Sequence, residues 1–398
     1  MQPISPLRGV VRYNAWGSRT FIPELLGLVA PAPEPHAELW LGAHPTGSSR
    51  VATEAGEVFL DAFIARDPIG VLGADVARRF EGALPFLLKV LAAEQPLALQ
   101  AHPSAAQARA GFERENAAGL ALDAARRSYR DPNPKPEMIC ALTPFSALCG
   151  FRPLPELLLH LTELGAPEPL ECAARLRARG EAALEDCIRI LWTLSPSARA
   201  RVLARALVCA QEREGAHWDW VGRLADAHPG DIGLLAPLLL NLVELAPGEA
   251  LFLDAGCPHS YLQGVGVEVM ANSDNVLRGG LTRKHVDVPG LLDTLVFSAG
   301  PIAPLQPLRV SGSELRYAAP APEFALSMLQ IASGAPYLAP SRHGVEILLC
   351  TEGEGRIAPE GAEPGLAVRR GGAWFVPASA GAYRIEGACS VWKAGVPA

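Results

Sequence analysis

Side chains that can bind a metal occur at three separated points of the sequence, each beside an apolar, strand-like run. In the first run, Gln100 and His102 lie on the same face, because successive side chains of a strand point to opposite sides. At the second point, two prolines favour an extended segment, which places Lys135 and Glu137 on one side. At the third point, His259 follows a proline shortly after an apolar run.

Together, Gln100, His102, Glu137 and His259 offer one amide oxygen, one carboxylate and two imidazoles, a donor set that suits Zn²⁺. Since Glu137 is the single charged donor, the zinc centre would stay net positive and would stabilise an anionic intermediate. Each of the three features taken alone also has an ordinary explanation: a solvent-facing strand, a charged turn or a structural Pro-His pair. The prediction of a metal site therefore depends on their occurrence in one chain.

Lysine is rare in this chain, and its placement is informative. Of the 35 basic residues four are lysines; Lys89, Lys135 and Lys284 lie in the segments that carry the polar groups, whereas Lys393 lies outside them. A buried lysine can lose its proton, which an arginine cannot do. We therefore predict that the first three lysines serve chemistry rather than solubility.

A charge-rich tract follows His259 and includes Glu268, Asp274, Arg278 and Lys284. Its glycine pair and alternating charges favour either an exposed loop or a loop that folds over an anionic ligand. We expect Arg278 to lie on a mobile, glycine-flanked loop and to contact substrate rather than metal.

Other histidines of the chain have an ordinary explanation. His160, His217 and His228 are far apart in the sequence and have no carboxylate at ligand spacing. We expect surface or packed side chains at these positions, and likewise at His36 and His343, which lie in loops.

Composition excludes several classes of protein. With 398 residues, 49% hydrophobic and 19% charged, the chain predicts two or three packed domains rather than a disordered or fibrous protein. A net charge of −7 without a Lys/Arg-rich run argues against a surface that binds nucleic acid and favours a small ligand.

The eight cysteines occur singly, which is typical of buried thiols, and neither an export signal nor a membrane span is visible in the sequence. We therefore expect a cytoplasmic protein without membrane contact.

Changes in hydrophobic periodicity divide the chain. Residues 1–152 alternate short apolar runs with Gly/Pro clusters and include a helical stretch over 104–130. The i, i+3, i+4 spacing over 153–246 predicts an insert of four to six helices. A strand-like pattern returns over 247–300. The tail 301–398 alternates apolar and polar residues, which is typical of a small β-sandwich. We expect three domains, the first of which combines residues 1–152 with residues 247–300.

Several long motifs resemble those of the type I phosphomannose isomerase family. The match extends over about the first three hundred residues, and it is specific because the motifs are long and occur in the family's order. They are YNAWG from Tyr13, AELWLGAHPTGSS from Ala37, LPFLLKVL from Leu84, QAHPS from Gln100, NPKPEM from Asn133, CGFR from Cys149 and PHSYLQGVGVEVMANSDNVLRGGLTRK from Pro258.

The resemblance implies a mainly β fold with a helical insert: a cupin-like catalytic domain (a double-stranded β-helix, or jelly roll), an α-helical domain and a C-terminal β-sandwich domain. It implies a zinc-dependent aldose–ketose isomerase that interconverts mannose 6-phosphate and fructose 6-phosphate through a cis-enediol. One zinc per chain would be bound by Gln100, His102, Glu137 and His259, the donors reached above from the residues themselves. The implied partner is a small sugar phosphate, and we expect a monomer.

The resemblance also implies active-site roles for Lys135, Glu268, Asp274, Arg278 and Lys284. We interpret Lys135 as the base for proton transfer at carbon, with Glu268 as the alternative base. Asp274 and Arg278 would serve ring opening and the oxygen protons. Lys284 would bind the phosphate, because a dianion needs a compact cation within reach.

Two further residues, Lys89 and Trp16, are predicted to support substrate binding. The chain departs from the family pattern at Ala98, where serine is common, at Pro134, where histidine is common, and at Arg283, where proline is usual. The first departure removes a hydroxyl that could contact the phosphate, and the second removes an acid that could open the sugar ring.

On the residues alone, two other classes of protein stay open. A zinc-bearing cupin could bind a sugar phosphate without turnover. A metal hydrolase or dioxygenase of the same fold is the second alternative, and a dioxygenase would be expected to use a His/His/carboxylate set with Fe(II).

Overall fold

Two curled antiparallel sheets and a group of helices make up the structure, a computed structural model that describes residues 3–362 and 364–397. The strands of this part of the chain, numbered β1 to β22 in order, are Ser5–Arg8, Val10–Ser18, His36–His44, Gly47–Ser48, Arg50–Thr53, Gly56–Phe59, Phe86–Ala93, Leu99–Ala101, Glu137–Ala141, Phe145–Phe151, Leu240–Leu245, Ala250–Leu253, His259–Ala271, Leu277–Gly280, Leu308–Arg309, Glu314–Tyr317, Ala325–Ile331, Tyr337–Leu338, Glu346–Pro359, Leu366–Arg369, Ala373–Val376 and Tyr383–Gly395. The α-helices, numbered α1 to α12, are Phe21–Leu25, Leu60–Arg66, Pro68–Leu72, Ala74–Arg79, Ala105–Ala117, Leu154–Leu164, Pro167–Arg179, Leu184–Trp192, Pro196–Glu212, Ala216–Ala227, Ala236–Leu239 and Val288–Thr294. Short 3₁₀ helices cover Gly180–Ala183, Ile232–Leu235 and Ala378–Ala380.

The sheet that carries the predicted ligands is organised around the long strand β13. The first residues of β13 pair with β10 and β8, and its later residues pair with β7 and β9. Strands β2, β3, β4, β11, β12 and β14 extend this sheet. Because one strand exchanges its neighbours along its length, the sheet curls on itself, and the predicted mainly β, cupin-like fold with a helical insert is confirmed.

The second sheet joins the two ends of the chain. It contains strands β15 to β22 of the tail, and β1 pairs with β21 on one side and with β5 on the other. Apolar side chains from both sheets share one core, which includes Leu88, Val267, Ile347 and Phe375. N-terminal strands therefore complete the sheet of the C-terminal segment, and the division into three domains stays a prediction.

Helices α6 to α11 lie between β10 and β11 and share an apolar core with strands β8 and β10. Prolines in the first turns of α6, α7 and α9 occupy positions where a helix needs no backbone N–H donor. The indole N–H of Trp192 in α8 donates to the carbonyl of Gly279 at 2.6 Å, which ties the helices to the curled sheet. The number of helices agrees with the prediction, although β11 lies inside the predicted insert and pairs with β10.

No helix in the described part of the chain is long and apolar enough to cross a membrane.

The helical stretch predicted over 104–130 is wrong beyond Ala117, where α5 ends. Gly119 follows with a φ of +71°, a left-handed conformation that suits the end of a helix. The buried guanidinium of Arg127 then donates to carbonyl oxygens of the loop, and the carboxylate of Glu115 accepts two backbone N–H groups. These hydrogen bonds stabilise an irregular loop in place of further helical turns.

Lys393, the lysine outside every motif, belongs to an ion cluster of the second sheet. Its Nζ lies 3.0 Å from Oε1 of Glu314 and 3.8 Å from Oε1 of Glu346, and it donates to the hydroxyl of Tyr337 at 2.7 Å. Although burial opposes the charged form, the carboxylate of Glu346 raises the pKa of Lys393. Both carboxylates are buried, so this lysine stabilises the C-terminal sheet.

Lys393→Ala should lower the free energy of unfolding by about 3–5 kcal/mol, because two buried carboxylates lose the buried cation that they share. Urea unfolding measures the change. Arg369→Ala, which removes an exposed cation from the same sheet, should change that free energy by less than about 0.5 kcal/mol. Equal losses in the two variants would contradict a structural role for the buried ion cluster.

Candidate active site

Three buried side chains from three segments meet beside β13, and we call them the sheet cluster. Oε1 of Glu137 lies 3.3 Å from Nε2 of His102, and Oε2 lies 3.5 Å from Nε2 of His259. Glu137 begins β9, His259 begins β13, and His102 directly follows β8. None of the three is more than 2% exposed. Strand pairing thus brings together ligands that are far apart in the sequence.

The sheet cluster has the features of a metal site. Nε2 of His102 and Oε2 of Glu137 are buried and have no hydrogen-bond partner among the described residues. A buried polar atom without a partner costs free energy, and a divalent cation would satisfy both atoms at once. Since imidazole nitrogens and carboxylate oxygens are usual zinc donors, these residues fit zinc.

A backbone carbonyl holds the other ring nitrogen of each histidine. Nδ1 of His102 donates to the carbonyl of Asn275 at 2.7 Å, and Nδ1 of His259 donates to that of Cys257 at 2.9 Å. Both rings therefore turn Nε2 toward Glu137, which is the usual arrangement of metal-binding histidines. Burial lowers the pKa of His102 to about 4, so its neutral, ligating form predominates.

Gln100 lies beside the sheet cluster, as its strand position predicts. The pairing of β13 with β8 sets Gln100 opposite His259, and Nε2 of the amide lies 3.3 Å from Nε2 of that histidine. A half-turn of the amide exchanges its nitrogen for its oxygen, which gives an oxygen donor at the same place.

Lys135 also contacts the sheet cluster, in agreement with its spacing from Glu137. Its Nζ is 3.1 Å from Oε1 of Glu137, and both side chains are buried. Although burial alone would raise it, the ammonium of Lys135 holds the pKa of Glu137 well below its ordinary value. One ionised carboxylate therefore faces an amine and two metal-binding rings.

A second buried charge network crosses strands β3, β7 and β13. Nζ of Lys89 lies 3.0 Å from Oε2 of Glu268 and 3.3 Å from Oε1 of Glu38, and the hydroxyl of Tyr261 donates to Oε1 of Glu268 at 2.9 Å. Burial raises the pKa of Glu268, and Lys89 only partly opposes this shift. Burial opposes the charge of Lys89, yet Glu268 and Glu38 raise its pKa, so Lys89 stays a cation.

Leu277–Gly280 forms β14, so the tract after β13 is only partly a loop. The expectation of a mobile, glycine-flanked loop around Arg278 is wrong, because β14 pairs with β8 and sets Arg278 opposite Gln100. Gly280 has a φ of +145°, and a Cβ there would come within 2.5 Å of a carboxylate oxygen of Asp231. This glycine therefore permits close packing against the helices instead of mobility.

Arg278 belongs to a group of three cations with Arg130 and Lys284. Burial and the guanidinium of Arg130 lower the pKa of Arg278. Burial, Arg278 and Arg130 lower the pKa of Lys284, and among the described residues no carboxylate contributes to either shift. Cations that repel one another in this way favour a nearby anion, and the phosphate-binding role of Lys284 stays a prediction.

Asp274 lies beside the buried His44, with 3.6 Å between Oδ1 and Nε2. Nδ1 of His44 accepts a hydrogen bond from the backbone N–H of Thr46, so Nε2 carries the proton that faces Asp274. Burial lowers the pKa of His44 to about 4, and the charges of Lys89 and Lys135 act in the same direction. Asp274 therefore faces a neutral donor.

Asn275 connects His102 with the segment that precedes Lys135. Its backbone carbonyl accepts from His102, and its side-chain Oδ1 accepts from the N–H of Arg130 at 2.7 Å. Its Nδ2 donates to the carbonyls of Asp131 and Asn133 at 2.8 and 2.9 Å. This fully buried amide holds two functional segments against each other.

Sequence reasoning did not identify four residues of the site: Arg130, His44, Asn275 and Tyr261. Arg130 shortly precedes NPKPEM, and His44 lies inside AELWLGAHPTGSS, so their motifs carried a signal. Asn275 and Tyr261 lie inside the long motif that begins at Pro258, but the hydrogen bonds through which they act on other site residues depend on the fold. Trp16 packs half-buried against the apolar cluster that contains Tyr261, and its role in substrate binding stays a prediction.

Comparison with known proteins establishes the family. Residues 4–154 match the family model described as phosphomannose isomerase type I, catalytic domain. The chain is 41% identical to the mannose-6-phosphate isomerase of Escherichia coli (strain K12) over 95% of both proteins. The chain belongs to the type I phosphomannose isomerase family.

Solved phosphomannose isomerase structures agree with the whole fold. The mannose 6-phosphate isomerase of Salmonella typhimurium, bound to its substrate (f6p) and zinc, matches with a TM-score of 0.92 at 38% identity. A zinc-bound holo mannose 6-phosphate isomerase also matches with a TM-score of 0.92 at 38% identity. Both comparisons cover 100% of each chain. The metal bound in these relatives is zinc, which is also the metal that the donors of the sheet cluster suit.

His102→Ala and His259→Ala should each remove one equivalent of zinc from the purified protein. Either change deletes one of two imidazoles from a site whose other donors are a carboxylate and an amide. Metal analysis measures the loss, and His228→Ala, in the helical insert, should keep the wild-type zinc content. Full zinc content in either ligand variant would contradict the assignment.

Proposed function

We propose that this chain is a zinc-dependent aldose–ketose isomerase that interconverts mannose 6-phosphate and fructose 6-phosphate through a cis-enediol. The observation that carries the proposal is the buried sheet cluster, whose donor atoms on His102, Glu137 and His259 lie within 4.8 Å of one another. Gln100 would supply a fourth donor, and family membership supports the substrate. Bound zinc would polarise the sugar oxygens and stabilise the negative charge that develops on them.

Lys135 is proposed to transfer the proton between C2 and C1 of the sugar. The distance of 3.1 Å between its Nζ and Glu137 supports this role, because the amine lies next to the ligands without being one. A base at this position has to accept the proton from carbon on a neutral amine, which a lysine can provide and an arginine cannot.

Glu268 is the alternative base, and its contacts favour a supporting role. Each carboxylate oxygen already has a partner, Lys89 at 3.0 Å and the hydroxyl of Tyr261 at 2.9 Å. A proton taken from carbon would have to displace one of these buried interactions, which costs free energy. We propose that Glu268 and Lys89 balance the buried charge beneath the substrate.

Of the three neighbouring cations Arg130, Arg278 and Lys284, we propose that Lys284 and Arg130 bind the phosphate of the sugar. Arg278 lies opposite Gln100, which supports a position closer to the sugar ring. Together with Asp274, whose carboxylate faces a neutral His44, it is proposed to serve ring opening and the transfer of the oxygen protons.

We propose that the enzyme acts as a cytoplasmic monomer. All proposed ligands and acid–base groups come from one chain, so the site needs no second copy. The eight cysteines are free thiols, the state that a reducing compartment maintains.

A coupled assay of fructose 6-phosphate formed from mannose 6-phosphate tests this function. Turnover should disappear after treatment with a chelator and return when zinc is added back. Zinc-loaded protein that binds mannose 6-phosphate without turnover would indicate a non-catalytic sugar-phosphate binder instead.

Lys135→Arg should lower kcat by about 10²- to 10⁴-fold with zinc retained, which is the usual contribution of a general base. The substitution keeps the positive charge, but a guanidinium with a pKa above about 12 has no neutral form at working pH. Steady-state kinetics with metal analysis measures both quantities.

Lys393→Arg is the matched control, because it makes the same change in the C-terminal ion cluster and should keep the wild-type kcat. A Lys135→Arg enzyme with more than about a tenth of the wild-type kcat would assign the base to Glu268.

Arg278→Ala should abolish turnover while zinc stays bound, because Arg278 lies beside the ligands and is assigned to the substrate. Arg66→Ala, which removes an exposed arginine of α2, should leave turnover unchanged. Near-normal activity of the Arg278→Ala enzyme would show that this arginine has no part in the reaction.

A further inference from the structure

A second His–Glu–His group lies in the helical insert, outside the proposed active site, and we call it the helical cluster. His160 and Glu163 are three residues apart on α6 and so share one face of that helix, and His217 lies in the first turn of α10. The potential ligand atoms of the three residues lie within 4.8 Å of one another. His160 and His217 are packed side chains, as expected, but the fold places them against each other and beside a carboxylate, which their sequence spacing did not indicate.

His160 is oriented in the same way as the histidines of the sheet cluster. Its Nδ1 donates to the carbonyl of Leu238 at 3.0 Å, which leaves the lone pair of Nε2 free. His102 and His259 likewise donate from Nδ1 to a backbone carbonyl. A ring held by a carbonyl on one nitrogen is prepared to bind a metal through the other.

The carboxylate of Glu163 has one partnered and one partnerless oxygen. Oε1 pairs with the guanidinium of Arg213 at 2.9 Å. Oε2 is buried and has no hydrogen-bond partner among the described residues, as is true of Oε2 of Glu137 in the sheet cluster. A buried acceptor without a donor is costly, and a bound cation would remove the cost.

The two rings are close enough to bind one ion. Their centroids are 4.4 Å apart with an interplanar angle of 27°, compared with 5.0 Å and 48° for His102 and His259. Burial lowers the pKa of His217 to about 4, and burial also lowers that of His160, so both rings are neutral donors near pH 7.

Nearby side chains do not prevent a cation from binding. Arg152 adds positive charge, but its guanidinium is paired with Glu156 at 2.7 Å. Trp218 lies next to both rings, with its centroid 6.5 Å from His160 and 5.4 Å from His217. Aromatic packing alone would account for the stacked rings, but it would not account for the partnerless oxygen of Glu163.

We propose that His160, Glu163 and His217 bind a second divalent transition-metal ion, with zinc as the reference case, that ties α6 to α10. Two imidazoles and one carboxylate suit zinc and its neighbours among the first-row metals. His160 is buried, whereas Glu163 and His217 are half-buried, so a water molecule can complete the coordination from the solvent side. The role of this site is structural, because none of its residues belongs to the proposed active site.

Zinc titration of the zinc-loaded enzyme tests this site independently of catalysis. The titrant is zinc alone, buffered at defined free concentrations, and the readouts are bound zinc per chain and the melting temperature. Wild-type protein should bind a second equivalent with a rise in melting temperature, because the ion joins two helices of the folded state. Turnover should be the same before and after the second equivalent binds.

His217→Ala should bind the second equivalent at least about tenfold more weakly, and so should Glu163→Gln, which keeps the size of the side chain. His228→Ala, at the other end of α10, is the matched control and should titrate like the wild type. A wild-type protein that stays at one zinc per chain would overturn the proposal. A second equivalent that both variants retain with unchanged affinity would also overturn it.

Discussion

A carboxylate buried inside an antiparallel sheet is the constraint on which the site depends. Glu137 is 2% exposed, and burial of an unpaired carboxylate costs several kcal/mol even after the protein relaxes. The ammonium of Lys135 offsets part of this cost. Backbone carbonyls hold Nδ1 of His102 and His259 so that each ring turns Nε2 toward the carboxylate, and a metal cation between them would complement this charge. The proposed metal site and the position of Lys135, the proposed base, therefore have a common cause.

Strand pairing keeps these charges in register. β13 sets His259 opposite Gln100 at one end and Glu268 opposite Lys89 further along, so one strand carries parts of both buried networks. A slip of one residue would turn every side chain of β13 to the other face and would separate both networks. The site is thus as rigid as the sheet that presents it, which suits proton transfer between neighbouring carbons.

Much of this arrangement was predictable from local pattern, and the rest depends on long-range packing. Strand alternation was sufficient for Gln100 and His102, because side chains two residues apart always share a face. The strand around Arg278 was not predictable, since its four residues are strand only through pairing with β8. The contact between His160 and His217 depends on how α6 and α10 both pack against α9 and α11, and sequence spacing holds no information on that.

Transfer of solvent deuterium into the sugar tests the central claim most directly. Mannose 6-phosphate is incubated with the zinc-loaded enzyme in D₂O, and the label in the sugar phosphates is measured by mass spectrometry. If a side chain of the buried site carries the proton between C2 and C1, that proton exchanges with solvent, and deuterium enters the product at the carbon that receives it. Zinc-loaded enzyme that binds the sugar phosphate and leaves it without deuterium would contradict the account.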